Sequence, residues 1–448
     1  MLDLTAGTTS LPLAAQLPAS AVLVLVLLWA LRIADTASAR FVVFACWLRF
    51  MLSAFHKYTY SDVVAGISGN AIGSAILFAL GLALLRRSLL LHKAVLSIYA
   101  VIASILLSAL ANGAIKEAFE PLMKMGLFLV IALHCYDALR SGDGRRFGIA
   151  SMLSFSPLLV FQAVSLALGV AKGTADSNSR SFIGGYDHES PFSVALVALL
   201  VVAAVAWRVP LRWRVPAAIL AIGGILLANY RTAIVSMAPL LLYLFLTNLA
   251  KLFDRRMRPL VTTVAGGLLL VTASFALLTL ERFSDFRTII QAEEPLIKPP
   301  NEFSYEDTQV LTGRTSLWSQ YYYHWKDEGS SLQHLVGFGP DSWLQYFVLY
   351  AHNTFVDTLF EYGLLGLAAV IFLFGSGIVL ALRSGRSRWK LFSAHLSFVI
   401  LNLATMPMWL VEGLILYGLL WGYTMHARAE KATVPRPVQR AQWRPVTA

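Results

Sequence analysis

His352 carries the most chemistry in this chain. It stands in Ala351-His352-Asn353-Thr354-Phe355, where a long polar segment gives way to an apolar one. Asn353 or Thr354 can cap the helix that the apolar run predicts. An imidazole at that N-terminus feels the positive end of the helix dipole, which favours its neutral form. A neutral imidazole accepts a proton, as a general base must; the plainer alternative is a histidine bonded to membrane headgroups. Asn353, Asp357 and Glu361 follow at i, i+4 and i+8, so they share one helix face. Both acids lie one to two turns inside an apolar segment. Ionisable groups at that depth face a bundle interior and are functional candidates, unless the interface solvates them. They can orient His352 or shape an acceptor site.

The cations come next. Arg231 is the only charge between Arg214 and Lys251, at a turn between two apolar segments. A guanidinium there can hold a phosphate with two parallel bonds, or it can reach to the headgroups. Arg314, in Gly313-Arg314-Thr315-Ser316-Leu317-Trp318, is a second phosphate clamp or else a surface arginine on a loop. Arg180 is a third, weaker candidate. Lys116, Glu120 and Lys124 form a stripe at i, i+4 and i+8. An ion-paired helix face explains that stripe, and substrate binding by Lys124 is the alternative. No outer-loop Asp-x-Asp pair, no cluster with metal-ligand spacing and no Gly-rich nucleotide loop is present, so neither a metal site nor a cofactor is expected. Asp187-His188-Glu189 is too compressed to read as a metal site.

The elements that must position these residues are membrane helices. Of 448 residues, 57% are hydrophobic and 14% charged, with mean hydropathy +0.66. A soluble domain carries about 25% charge, so lipid must cover much of this surface. Apolar segments fall near 19–33, 41–55, 71–86, 89–111, 119–139, 147–171, 191–207, 215–229, 231–250, 259–280, 354–382, 391–405 and 408–424. Several are short, which predicts an all-α polytopic membrane protein of about twelve spans. The run Ala21–Leu31 lacks a basic region ahead of it and reads as the first membrane helix rather than a signal peptide. Basic clusters at Arg86-Arg87, Arg140/Arg145/Arg146, Arg208/Arg212/Arg214, Lys251/Arg255/Arg256/Arg258 and Arg383/Arg386/Arg388/Lys390 can all lie on one side, expected to be the cytoplasm. Net charge +11 is thereby explained without nucleic acid. The same alternation places 281–352 outside. Residues 282–351 carry a net −4 and the rest of the chain +15. Trp318, Tyr321, Tyr322, Tyr323, Trp325 and Trp343 give this loop an aromatic surface able to fold onto the bundle. Ser316–Trp325 reads as a helix and Gly337–Pro340 as a turn. The expected organisation is a helix bundle over 1–280, a loop over 281–352, closing helices over 353–426 and a disordered basic tail over 427–448.

The stretch from Gly313 to Gly366 resembles the signature region of the O-antigen ligase and polymerase superfamily. The resembling pieces are Gly313-Arg314-x-x-Leu317-Trp318, Gly337-Phe338-Gly339, and Ala351-His352-Asn353 followed by Leu359, Gly363, Leu364 and Gly366. The resemblance implies a metal-independent, inverting membrane glycosyltransferase of the C-type fold in a bacterial inner membrane, with its active site at the periplasmic face. It implies a donor glycan on undecaprenyl diphosphate, passed by ligases to the lipid A core, by polymerases to another carrier-linked chain and by related enzymes to protein hydroxyls. The family's loop-end histidine corresponds to His352, its loop-helix arginine to Arg314 and its earlier arginine to Arg231. Moderate length and one dominant loop lean towards a ligase, acting as a monomer among membrane lipids. From a different class, an anion or solute transporter would line its path with the same arginines and acids, but no internal repeat supports it. A membrane scaffold leaves His352 unexplained.

Overall fold

The computed structural model describes residues 9–64, 67–174, 177–279, 295–305 and 307–433. The start of the expected loop and the basic tail beyond 433 therefore lie outside the described residues. Helices α1 (Leu13–Ile33), α2 (Ala37–Ala54), α3 (Gly69–Leu84), α4 (Leu96–Asn112), α5 (Phe119–Ser141), α6 (Gly144–Leu153) and α7 (Ser156–Leu168) open the chain. Next come α8 (Glu189–Val205), α9 (Leu211–Ala228), α10 (Arg231–Ser236), α11 (Ala238–Lys251) and α12 (Arg258–Thr279). The loop carries α13 (Arg314–Tyr323) and α14 (Ser331–Val336), and α15 (Thr354–Leu382), α16 (Arg388–Ala404) and α17 (Val411–Thr433) follow.

Each apolar segment lies on a helix or a helix pair. Several are divided, among them 89–111 at Leu91-His92, 147–171 at Ser154-Phe155 and 231–250 at Met237. Among the described residues, 7 helices are long and apolar enough to cross a membrane, and four apolar helices are shorter. The protein is thus a polytopic all-α membrane protein. Two small antiparallel hairpins, Asp62–Val64 with Ile67–Ser68 and Lys172–Thr174 with Ser177–Ser181, depart from pure helix.

The centre of the bundle is the seam between α5 and α17. Lipid tails are as apolar as leucine, so membrane helices gain by close backbone approach, which small residues permit. Gly418 and Gly422, four apart, supply it here. A Cβ at Gly422 would lie 2.5 Å from the Cys135 Cβ and 2.7 Å from the Ala132 carbonyl, and one at Gly418 2.8 Å from Ile131. Cys135 is sealed under that seam and Cys46 is buried on α2; both are free thiols. Helix α8, apolar from Val194 to Val205, is buried on every face over that stretch, as an all-round apolar helix must be in a bundle core.

The loop is tied to α15 through a break in that helix. Gly363 adopts φ 63°, a left-handed conformation open to glycine at little cost. The break frees the carbonyls of Phe360 and Glu361 from helical partners. Backbone N–H groups of Phe338 and Gly339 donate to them at 2.9 and 3.0 Å. Ser108 on α4 adds a hydroxyl bond to the Glu361 carbonyl at 2.7 Å, and Asn112 donates to the Gly337 carbonyl at 3.0 Å. The contact is backbone on backbone: a Cβ on Gly337 would fall 2.3 Å from Glu361, and one on Gly363 2.5 Å from Gly337. The Gly337-Phe338-Gly339 and Gly363 pieces of the signature thus have a packing cause.

Filling the α5–α17 seam should be costly. Gly422→Val is expected to lower stability by about 1–3 kcal/mol, read as a lower thermal unfolding midpoint in detergent or nanodiscs. An unchanged midpoint would remove the seam from its place in the core. Gly363→Ala is expected to loosen the loop, seen as faster proteolysis between 295 and 352 with the bundle intact.

Candidate active site

Helix α13 grips the irregular segment that leads into His352. Gly313, at φ 81°, turns the chain into this helix. Arg314 and Trp318 lie one turn apart on one face. The Trp318 indole Nε1–H donates to the Ala351 carbonyl at 2.8 Å, and the Tyr321 hydroxyl to the Leu349 carbonyl at 2.9 Å. The Tyr321 ring stacks on Phe347 with centroids 3.8 Å apart, and Phe338 stacks on Phe360 at 4.8 Å. The expected aromatic packing of the loop onto the bundle is therefore a real apolar joint with α15.

From the other direction, α15 is pinned where it begins. The Asn353 Oδ1 accepts from the Phe355 and Val356 N–H groups at 2.9 and 3.3 Å, and its Nδ2 donates to the Leu403 carbonyl at 2.9 Å. Thr354 donates to Asn402 at 2.7 Å. Asn353 is the cap, with its side chain committed to that work. His352 sits between these two clamps at φ 52°, a left-handed conformation uncommon for residues other than glycine. Such strain persists where the surroundings over-determine it.

His352 and Arg314 line one crevice of about 600 Å³, together with His188, Tyr230, Gln320 and Tyr350. The His352 ring lies against Tyr350, centroids 4.0 Å apart. Burial, then the Arg314 guanidinium and His188, disfavour the imidazolium and bring the His352 pKa down to about 4. The ring is therefore a neutral, proton-accepting group beside a fixed cation. Burial chiefly, and then Tyr230, raise the Tyr350 hydroxyl above its ordinary value.

The other candidates lie elsewhere. Arg231 is exposed at the first residue of α10 and is not among the described residues lining the crevice; its neighbour Tyr230 is. A turn at Asn229, φ 53°, precedes them. Arg180 is exposed on a hairpin strand, opposite Gly173, and also outside the lining. Lys124 pairs with Glu120 at 2.6 Å, as an ion-paired face would have it. Asp357 and Glu361 are buried, 2% and 4% exposed, and neither lines the crevice. One oxygen of each, Asp357 Oδ1 and Glu361 Oε1, has no hydrogen-bond partner among the described residues. Nearby Asp341, on the loop, has its carboxyl pKa raised, first by burial and then by Glu120. The two acids thus belong to a separate acidic cluster with Lys124, and they do not orient His352.

Residues 216–371 match the family model described as O-antigen ligase. That stretch is similar to the O-antigen ligase family. It holds Arg231, Arg314, His352, Asn353, Asp357 and Glu361, and the signature pieces recognised in the sequence lie within it. The superfamily consists of membrane glycosyltransferase-like ligases and polymerases. No curated protein matches the chain. His188 lies outside the O-antigen ligase match and reaches the crevice only through tertiary folding. Tyr230, Gln320 and Tyr350 lie inside the match, but no spacing singles them out; the aromatic richness of the loop is a signal for Tyr350 alone.

Trp318→Phe removes the bond to Ala351 while keeping an aromatic ring. It is expected to cost about 1 kcal/mol and to speed amide hydrogen exchange across 349–352. Unchanged exchange there would show that α13 does not hold the His352 segment.

Proposed function

We propose that the protein is an O-antigen ligase. It transfers a glycan from undecaprenyl diphosphate to a hydroxyl of the lipid A core at the periplasmic face of a bacterial inner membrane, through a C-type bundle of about twelve spans. The observation that carries this reading is the neutral His352 imidazole and the Arg314 guanidinium in one crevice. The acidic loop at that end and the arginine-rich turns between other helices support the orientation.

In this reading a His352 ring nitrogen takes the proton from the acceptor hydroxyl as that oxygen attacks the anomeric carbon. A new carbon–oxygen bond forms and the bond from anomeric carbon to phosphate oxygen breaks. Undecaprenyl diphosphate departs with the electron pair, and Arg314 meets the charge that grows on it. Attack opposite the leaving group inverts the anomeric centre. Arg231, next to Tyr230, is proposed as an outer contact for the diphosphate at the mouth, and Arg180 as a more distant one. Asp357, Glu361 and Lys124 shape the acceptor side without touching the reacting atoms. The geometry is equally serviceable to a polymerase of the same superfamily, so the acceptor decides between them.

The test is a reconstituted assay with carrier-linked glycan and three acceptors: lipid A core, carrier-linked glycan and peptide. Product on lipid A core with inverted anomeric configuration is expected; product only on carrier-linked glycan would make the protein a polymerase. His352→Asn keeps a residue tolerant of the left-handed backbone but removes the base, and should slow transfer about 10²–10⁴-fold. A near-normal rate would remove His352 from the chemistry. The pH dependence follows from its pKa, held at about 4 against an ordinary 6.5. Protonation disables the base only at acid pH, so the rate should rise through about pH 4 and stay level through neutrality. Arg314→Gln should move that rise to higher pH, short of 6.5 because burial persists. A rise already centred at 6.5 in the wild type would contradict the assigned environment.

A further inference from the structure

The wall of the crevice that includes His188 and Ser190 does something that the reading above leaves unassigned. His188 caps α8: the Ser190 backbone N–H donates to its Nδ1 at 3.1 Å. That bond occupies the Nδ1 lone pair, so the neutral ring carries its proton on Nε2. No described residue bonds Nε2. Glu189 Oε2 also lies 3.4 Å from Nδ1, but the Ser190 N–H is nearer that nitrogen and the same carboxylate oxygen is held more closely by the Lys172 ammonium, at 3.1 Å. Burial and Lys172 hold the His188 pKa below its ordinary value, which keeps the ring neutral. Beside it, Ser190 and Thr405 share a hydroxyl contact at 3.3 Å, and both line the crevice. One wall thus offers a fixed N–H donor and two hydroxyls to the cavity that Arg314 charges positively.

We propose that His188 Nε2–H is a hydrogen-bond donor to the diphosphate of the carrier lipid in the crevice it shares with Arg314. This rests on the transferase reading. The fixed tautomer makes His188 a donor rather than a second base, so the two histidines of the crevice divide the work: His352 accepts a proton and His188 donates a hydrogen bond. A neutral donor also suits this place, since another full cation would compete with Arg314 for counter-charge and press still harder on His352.

The experiment compares two substitutions that both cap helices well. His188→Ser keeps the cap and lacks a donor of the same reach. His188→Asn caps through its amide oxygen and presents its N–H₂ at the Cδ2 edge of the ring it replaces, one bond short of Nε2, as a donor on the same side of the crevice. Undecaprenyl diphosphate binding to the purified protein in nanodiscs is measured for both, alongside KM for carrier-linked glycan and for the acceptor. His188→Ser is expected to weaken carrier binding and raise the donor KM about tenfold, with the acceptor KM unmoved. His188→Asn should restore both to within about threefold. A purely capping role would leave Ser and Asn alike. If His188→Ser binds undecaprenyl diphosphate as the wild type does while Arg314→Gln binds it weakly, the His188 assignment is overturned and the transferase reading stands. If the wild type itself shows no saturable binding of undecaprenyl diphosphate, the transferase reading fails and takes this inference with it.

Discussion

A backbone carbonyl that loses its helical partner in the interior of a membrane protein must find another. Gly363 creates that need at Phe360 and Glu361, and the loop answers it with the N–H groups of Phe338 and Gly339. The rest of the site depends on this exchange. It presses the Gly337–Gly339 turn against α15 with no side chain between, and it brings Phe338 onto Phe360. Helix α13 then packs Tyr321 over the same aromatic group and reaches the carbonyls ahead of His352. A long loop between two membrane helices is thereby registered on them at the level of single backbone atoms.

Registration matters because the chemistry asks opposite things of two neighbours. A base must be neutral and a leaving-group clamp must be charged. Arg314 cannot lose its proton, so its nearness lowers the basicity of His352 while preserving its neutrality. The left-handed backbone at His352, fixed by the Asn353 cap after it and the Trp318 bond before it, holds the ring on that compromise. Tyr350 fills the space on one side of the ring.

What could be read from the residues in advance was local or periodic. The Asn353 cap follows from residue type and position, and the shared burial of Asp357 and Glu361 from helical spacing. The pairing of Arg314 with His352 came from the order of short motifs that a family resemblance connects. Three things were beyond that reach. Residues 354–382 read as one uninterrupted apolar helix, because nothing in hydropathy marks the left-handed turn at Gly363. Arg231 looked suited to a phosphate, but the direction of a side chain leaving a turn depends on the backbone at Asn229 and Tyr230, and it is Tyr230 that faces the crevice. His188 was set aside because its neighbours are wrong for a metal; its partners across the crevice are distant in sequence.

The α5–α17 seam has a practical corollary. Cys135 is enclosed beneath Gly422, and Cys46 is 1% exposed within its own helix layer. Maleimide reagents need a reachable thiolate, and neither sulfur offers one while the bundle is folded. The unaltered chain is therefore a ready background for site-specific labelling. A cysteine placed at Val348, 96% exposed on the rim of the crevice, would be the thiol that a fluorophore finds, giving an optical reporter of occupancy without first engineering the natural thiols away.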